Sequence, residues 1–464
     1  MARVDELAFA TATEQAELVR RRQVSPVELV ETYLERIERL EPELNAYVTV
    51  CAEEARASAR RAEAEPAETP FHGVPLPIKD LNETAGVRTT FSCRAYADYV
   101  PTFDGAVVRR LKDAGFILLG KTNTPELGST AVTESELNGA CRNPWDTART
   151  PGGSSGGAAA AVAAGLAPAA QGSDGGGSIR IPASCCGLVG IKPARGRVSP
   201  APYGGLEGLS TSGPIARTVG DAAALLDVMQ GYETGDAYWA PPPERPFVEE
   251  VGRDPGRLRI AVTTTPPIDV PVDPACAAAA GDAARLLGEL GHDVEEARPD
   301  WARGDLMGPF ARAWAVAPAL YTEDLSELEP LNRMLAERAR GTSSVDYVKA
   351  TAKLREISRR LVRFWDDYDL LLTPTLAQLP VEIGAIVSGE PADQFRKAAA
   401  FTPFTAVVNV TGQPAISLPL AWSDEGLPVG VQLIGRPADE ATLVRVGAQL
   451  EQALPWRDRR PALG

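Results

Sequence analysis

Ser178 follows Gly175-Gly176-Gly177, three residues whose backbone N–H groups carry no obstructing side chain and can converge on a developing oxyanion. That makes it the strongest nucleophile candidate, although a tight turn whose serine merely caps the next element fits the same run. The usual base for such a serine is imidazole, and the chain holds only two histidines, His72 and His292. His292, in Leu290-Gly291-His292-Asp293-Val294, reads as a helix C-terminus ahead of a strand, and His72 as a packing or turn residue. Lysine can replace histidine in this role. It does so only when burial or a nearby cation pulls its pKa toward neutrality. Three lysines emerge from apolar stretches: Lys79 after Val74-Pro75-Leu76-Pro77-Ile78, Lys121 after Phe116-Ile117-Leu118-Leu119-Gly120, and Lys192 in Gly190-Ile191-Lys192-Pro193. Residue chemistry alone does not choose among them.

Two other motifs invite different chemistry. Gly115-Phe116-Ile117-Leu118-Leu119-Gly120-Lys121-Thr122 matches the phosphate-loop pattern, but its four variable positions read as a buried strand rather than an open loop, so nucleotide binding is not expected. Gly152-Gly153-Ser154-Ser155-Gly156-Gly157 satisfies G-x-S-x-G twice, yet the hydrolase elbow that this pattern marks needs a downstream catalytic histidine. With two histidines and no spaced Cys or carboxylate ligands, no metal or other cofactor is expected.

The elements that must position these residues are legible from periodicity and punctuation. Ser25-Pro26-Val27-Glu28 opens a helix with an N-cap, a proline at the first helical position and a capping-box glutamate. Helical periodicity recurs at Asp104–Ala114, Asp221–Met229, Ala275–Leu290, Val345–Trp365 and Glu440–Leu454. Short apolar runs at Phe116–Leu119, Leu258–Val262, Leu370–Thr373 and Val429–Ile434 read as strands. Helices alternating with nearly all-apolar strands predict an α/β architecture with a sheet covered on both faces. The Gly/Ser-rich stretch 151–193 is flanked by the small-residue helix Ala158–Gly165 and by apolar sequence, so its glycine loops belong inside a core and not in a linker. No polar linker divides the chain, and one large domain, 1–464, is expected in place of the three that 464 residues suggest at ~150 per domain.

Composition narrows the partners. A net charge of −15 repels phosphate backbones and anionic headgroups, so nucleic acid and membrane surfaces are not expected to bind. The six cysteines show no CxxC pair and read as reduced, buried thiols. The N-terminus lacks a secretory pattern and no stretch reaches ~18 apolar residues, so a cytoplasmic protein is expected.

Taken in order, Gly73-Val74-Pro75-Leu76-Pro77-Ile78-Lys79-Asp80, the Gly-Gly-Ser-Ser-Gly-Gly at 152–157, and Gly172-Ser173-Asp174-Gly175-Gly176-Gly177-Ser178-Ile179-Arg180-Ile181-Pro182-Ala183 resemble the amidase signature family. The likeness continues through Gly187–Pro193, Thr211–Arg217, Gly412–Pro419 and Leu427–Gly435, covering most of the chain. It implies an amidase signature fold: a central mixed twisted β-sheet covered by helices on both faces, with a signature core at about 70–230 and a part at about 250–464 that completes the sheet and substrate pocket. It also implies a Ser-Ser-Lys triad of Ser178 as nucleophile, Ser154 after a cis peptide bond as relay, and Lys79 as base. By the same carry-over, the amides of Gly175, Gly176, Gly177 and Ser178 form the oxyanion hole; Asp174 and Arg180, which also match the signature, are read as holding the loop by hydrogen bonds, and Ser155 as structural, with direct help to the relay as the alternative.

Many family members carry Thr where this chain has Gly175. That departure, with Cys185-Cys186 and the segment Gly235–Pro243, is similar to the branch of nylon-oligomer (cyclic amide dimer) and aryl amide or urethane hydrolases. The resemblance implies a roomy, partly apolar acyl pocket and small non-peptide amides, anilides or carbamates as substrates. Two rivals are a glutaminase, the A subunit of a tRNA-dependent amidotransferase, and a binding or scaffold protein that kept the fold without turnover. Specificity is expected in 200–210, 300–345 and 376–405, where Trp301, Phe310, Trp314, Tyr321 and Phe401 line a pocket or fill core, with core favoured for isolated aromatics. The residues leave a homodimer open.

Overall fold

The strands order themselves around a single problem: a parallel or mixed sheet of short apolar runs has two faces to bury. The computed structural model describes residues 2–204, 206–301 and 303–463, so Gly205 and Ala302, inside two of the divergent stretches, lie outside the described residues. Eight strands form one sheet in the order Asp293–Glu296, Arg259–Val262, Leu370–Pro374, Pro428–Ile434, Ala415–Trp422, Val189–Lys192, Thr211–Ala216 and Ala169–Asp174. The first three run parallel to one another and every later neighbour pairs antiparallel, so the sheet is mixed.

Alternation along the strands assigns the two faces. Ile260, Leu370, Leu372, Ile416, Leu418, Val431 and Leu433 join one core with residues of the helices Val219–Met229, Pro274–Glu289 and Glu440–Ala453. Their neighbours Ala261, Leu371, Ala415 and Ile434 join another with residues of Met307–Trp314, Ser344–Val362 and Ala406–Thr411. Burial on both faces is why these strands read as continuous apolar runs.

A smaller sheet of three strands, Tyr47–Val50, Ile117–Thr122 and Pro75–Lys79, lies beside Ala169–Asp174. Pro75–Lys79 is its edge strand, which tolerates two prolines because no ladder hydrogen bond is asked of them on the outer side. Those prolines are also why apolar-run reasoning passed over this strand. Residues 117–122 form a buried strand, so the phosphate-loop match has no loop to cradle an anion. Ser25 closes the expected capping box with Glu28 over the helix Pro26–Leu44. Arg180–Cys186 is a short helix that helical periodicity did not single out; all seven residues are buried, so it shows no polar face. All six cysteines are free and buried. No helix among the described residues is long and apolar enough to cross a membrane.

Candidate active site

Lys79 ends the edge strand Pro75–Lys79 with its side chain fully buried. Gln171 and Ser173, two apart on the neighbouring strand and therefore on one side of it, fix both ends of this lysine. The Lys79 N–H donates to Gln171 Oε1 at 3.0 Å, and Lys79 Nζ reaches Ser173 Oγ at 3.1 Å and Ser154 Oγ at 2.7 Å. Burial pulls the amine down to about 7, against the opposing pull of the Asp174 charge, which favours the ammonium.

Ser154 and Ser155 lie where the chain turns into the helix Gly156–Ala163, after a cis Gly153–Ser154 peptide bond. The Ser155 hydroxyl donates to the Ser173 carbonyl at 3.2 Å and accepts the Ser173 N–H at 3.3 Å, while its own N–H donates to the Ser178 carbonyl at 3.2 Å. Ser155 thus bridges the two loops by hydrogen bonds.

The Ser178 loop is pinned from below by an ion pair. Arg180 contacts both Asp174 oxygens, at 3.0 and 2.9 Å, and its remaining donors reach Gln432 Oε1 at 2.6 Å and Asn409 Oδ1 at 2.8 Å. Burial by itself would raise Asp174, but the Arg180 guanidinium and its hydrogen bonds hold the carboxyl well below the usual carboxylate range. The same carboxylate accepts the amides of Gly177 at 2.8 Å and Ile179 at 3.2 Å. Gly177 therefore drops out of the set of four amides expected to face an oxyanion, because its N–H is already committed. Among the described residues, the amides of Gly175, Gly176 and Ser178 donate to no protein acceptor. Gly177 has φ +132°, and a Cβ there would meet Thr405 Oγ1 at 2.4 Å, so glycine is required on both counts.

Ser178 opens onto two clefts. One is bordered by Ile181, Ile268, Leu306, Phe310, Leu331 and Phe395, with no charged side chain among its described lining residues. The other, bordered by Ser154, Ser173, Gly175, Ser212 and Tyr321, carries Glu83 and no cation among its described lining residues. Trp301 and Phe401 are core, as favoured; Phe310 is buried in the core and also borders the apolar cleft, and Trp314 and Tyr321 border the clefts.

The remaining lysines and histidines sit in other company. Lys121 Nζ donates to the Asn82 carbonyl and Thr89 Oγ1, 3.4 Å from Asp80 Oδ1, and Lys192 Nζ donates to the carbonyls of Pro193 and Gln413. Burial pulls Lys192 to about 7 as well, but it touches no serine hydroxyl among the described residues. His292 Nδ1 accepts the Leu258 N–H and its Nε2 meets Gln449 Oε1, and His72 Nε2 meets the Ala62 carbonyl. Neither imidazole borders a cleft. The sequence reading missed Gln171, Ser173, Asn409 and Gln432; Ser173 and Gln432 carried a signal, their places inside the glycine motif and the Leu427–Gly435 stretch.

A profile of the Amidase family matches residues 28–444. The chain is 41% identical over 491 residues to the 6-aminohexanoate-cyclic-dimer hydrolase of Paenarthrobacter ureafaciens, covering 100% of this chain and 98% of that one. It is 36% identical to the acylamidase of Rhodococcus erythropolis, covering 98% of each. The solved structure of 6-aminohexanoate cyclic dimer hydrolase superimposes with a TM-score of 0.93 at 39% identity, over 98% of this chain and 99% of that one. A match of this length, carried by sequence and fold together, places the chain in the amidase signature family, hydrolases that act on amide C–N bonds.

Proposed function

We propose that this enzyme hydrolyses small, uncharged amides, anilides or carbamates through Ser178, Ser154 and Lys79 and an acyl-enzyme intermediate. The observation that carries the reading is the pair of clefts meeting at Ser178, one of them without a charged side chain among its described lining residues. A buried amine at about 7 is half neutral near pH 7, and its lone pair can take the Ser154 proton across 2.7 Å. Ser178 Oγ then attacks the carbonyl carbon while its proton replaces the one Ser154 gave up. The oxyanion so formed is held by the free amides of Gly175, Gly176 and Ser178. Collapse breaks the C–N bond, and the proton returns from Lys79 through Ser154 to the departing nitrogen. Water repeats the path on the Ser178 ester and releases the acid. A carbamate would release an amine, an alcohol and carbon dioxide.

Relatives that act on a cyclic amide and on acyl amides agree with this substrate class. The glutaminase alternative asks for more. A free amino acid brings an ammonium and a carboxylate into the site, and burying each without a partner is costly. Glu83 offers one countercharge, but the described lining of both clefts offers no cation for the carboxylate.

The purified chain should hydrolyse acyl anilides, aryl carbamates and cyclic amides unaided, in a panel that includes esters and glutamine. Turnover restricted to glutamine and dependent on added partner subunits would replace this reading with the amidotransferase one.

A further inference from the structure

Among the described residues, only Ser129, Ser178 and Trp314 border both clefts. Trp314 ends the helix Met307–Trp314, and three contacts fix its indole. Its Nε1–H donates to the Ser129 carbonyl at 3.2 Å, its ring stacks on Phe310 with centroids 5.6 Å apart and planes 20° from parallel, and its far edge rests on the loop before Ser178. A Cβ at Gly175 would come within 3.1 Å of Trp314 Cζ3 and 3.2 Å of Cη2. Gly175 is absent from the glycines with positive φ. Its lack of a side chain therefore serves space and not backbone conformation: the indole occupies the volume a side chain at 175 would need.

The two sides of this ring differ in degree: the cleft on the Ser154 side is the more polar, with Ser154, Ser173, Ser212 and Glu83, though Leu81, Leu127 and Leu320 line it too, and it is polar only in that relative sense. Ser154 borders only the polar cleft. If Ser154 hands the returning proton to the scissile nitrogen, the amine must lie on Ser154's side and leave through the polar cleft. The acyl group is then on the other side, among Ile268, Leu306, Phe310, Leu331 and Phe395.

We propose that Trp314, seated in the space left open by Gly175, is the specificity-determining partition of this site: it walls the apolar acyl cleft off from the polar amine cleft and sets the bulk of the acyl group accepted. This rests on the Ser178–Ser154–Lys79 reading above. Removing the ring joins the clefts beside Ser178 and relieves the limit on acyl bulk. A methyl group at 175 presses on the ring, which must give by a few tenths of an ångström, only while the ring is there.

The test is kcat/KM for p-nitroanilides of acetate, butanoate, hexanoate and benzoate, with Trp314→Ala, Trp314→Phe, Gly175→Ala and the Gly175→Ala/Trp314→Ala double variant. Trp314→Ala should raise the benzoyl-to-acetyl ratio ~10-fold or more, mainly through KM, since a change in pocket fit is worth about 10–200-fold in discrimination. Trp314→Phe keeps a ring on Phe310, loses the tether to Ser129, and should shift the ratio in the same direction by less; it carries the test if the alanine variant does not fold. Gly175→Ala should slow every substrate in the wild-type background and cost little in the Trp314→Ala background, the non-additivity expected of two groups in contact. Ratios within twofold of wild type in both Trp314 variants, with Gly175→Ala equally harmful in each background, would overturn the partition. Fluorophosphonate labelling separates the two ideas. Label on Ser178 with unchanged ratios sinks the partition alone, and shifted ratios with label elsewhere sink the nucleophile assignment and with it the acyl and amine sides, leaving only the control of bulk by Trp314.

Discussion

Asp174 Oδ1 accepts the Gly177 amide at 2.8 Å and the Arg180 guanidinium at 2.9 Å, so one buried oxygen fastens the glycine loop to the helix that follows it. Asp174→Asn leaves Arg180 as a buried cation without its countercharge, and breaking such a pair costs about 3–5 kcal/mol. Denaturant unfolding should show a drop of that order. The Asp174 charge also holds the Lys79 amine above where burial alone would leave it. Removing that charge should move the rising limb of the residual pH–rate profile to lower pH.

Wild-type kcat/KM should climb with pH through about 7, because the proposed base is the neutral amine of Lys79 and its proportion grows as pH passes its lowered pKa. Lys79→Ala should lose about 10²–10⁴-fold, the usual worth of general acid–base catalysis, and flatten this limb. The measurement is a pH–rate profile of both proteins on an anilide; an unchanged rising limb in Lys79→Ala would exclude this amine as its source.

A sulfonyl fluoride should modify Ser178, located by peptide mass mapping, and Ser178→Ala should abolish both labelling and turnover. Ser155→Ala, which removes a brace and not a reacting group, should keep the label at Ser178. Label arriving on Ser155 instead would reverse the two roles.

Gly177→Ala should be more harmful than its one added methyl suggests, since φ +132° is strained for any side chain and Thr405 Oγ1 stands 2.4 Å from the new carbon. Pairing it with Thr405→Gly, which also removes the Cβ 2.6 Å from the new carbon, should recover part of the lost thermal stability, leaving behind the backbone strain and the contact with Ile181 Cδ1 at 2.7 Å. No recovery in a melting experiment would place the cost in the backbone and the Ile181 contact and not in Thr405.

Replacing His72 by Gln or His292 by Asn should leave kcat within a few-fold of wild type, because each ring bonds structural groups away from both clefts. Assay of the purified variants on one anilide decides it. Loss of turnover in either variant without loss of folding would bring imidazole back into the chemistry.

Local order along the chain was enough to reveal the elements whose pattern is self-contained. A capping box at Ser25 and Glu28, an alanine-rich helix after Ser155, and apolar strands at 259–262, 370–374 and 428–434 each follow from residues a few positions apart. The scarcity of histidine and the glycine triplet before Ser178 likewise point to a serine and a lysine. What only the folded chain decided is which groups face each other across long separations. Burial lowers Lys79 and Lys192 alike, but only Lys79 is brought against Ser154, 75 positions away. Gly177 looks like its neighbours in sequence, yet its amide is spent on Asp174 while theirs stay free. Trp314 reads as an isolated aromatic until its helix lies over Gly175. The physical reason is common to all three: residue type and spacing set what a group can do, whereas desolvation and hydrogen-bond partners come from whatever distant segment packs against it.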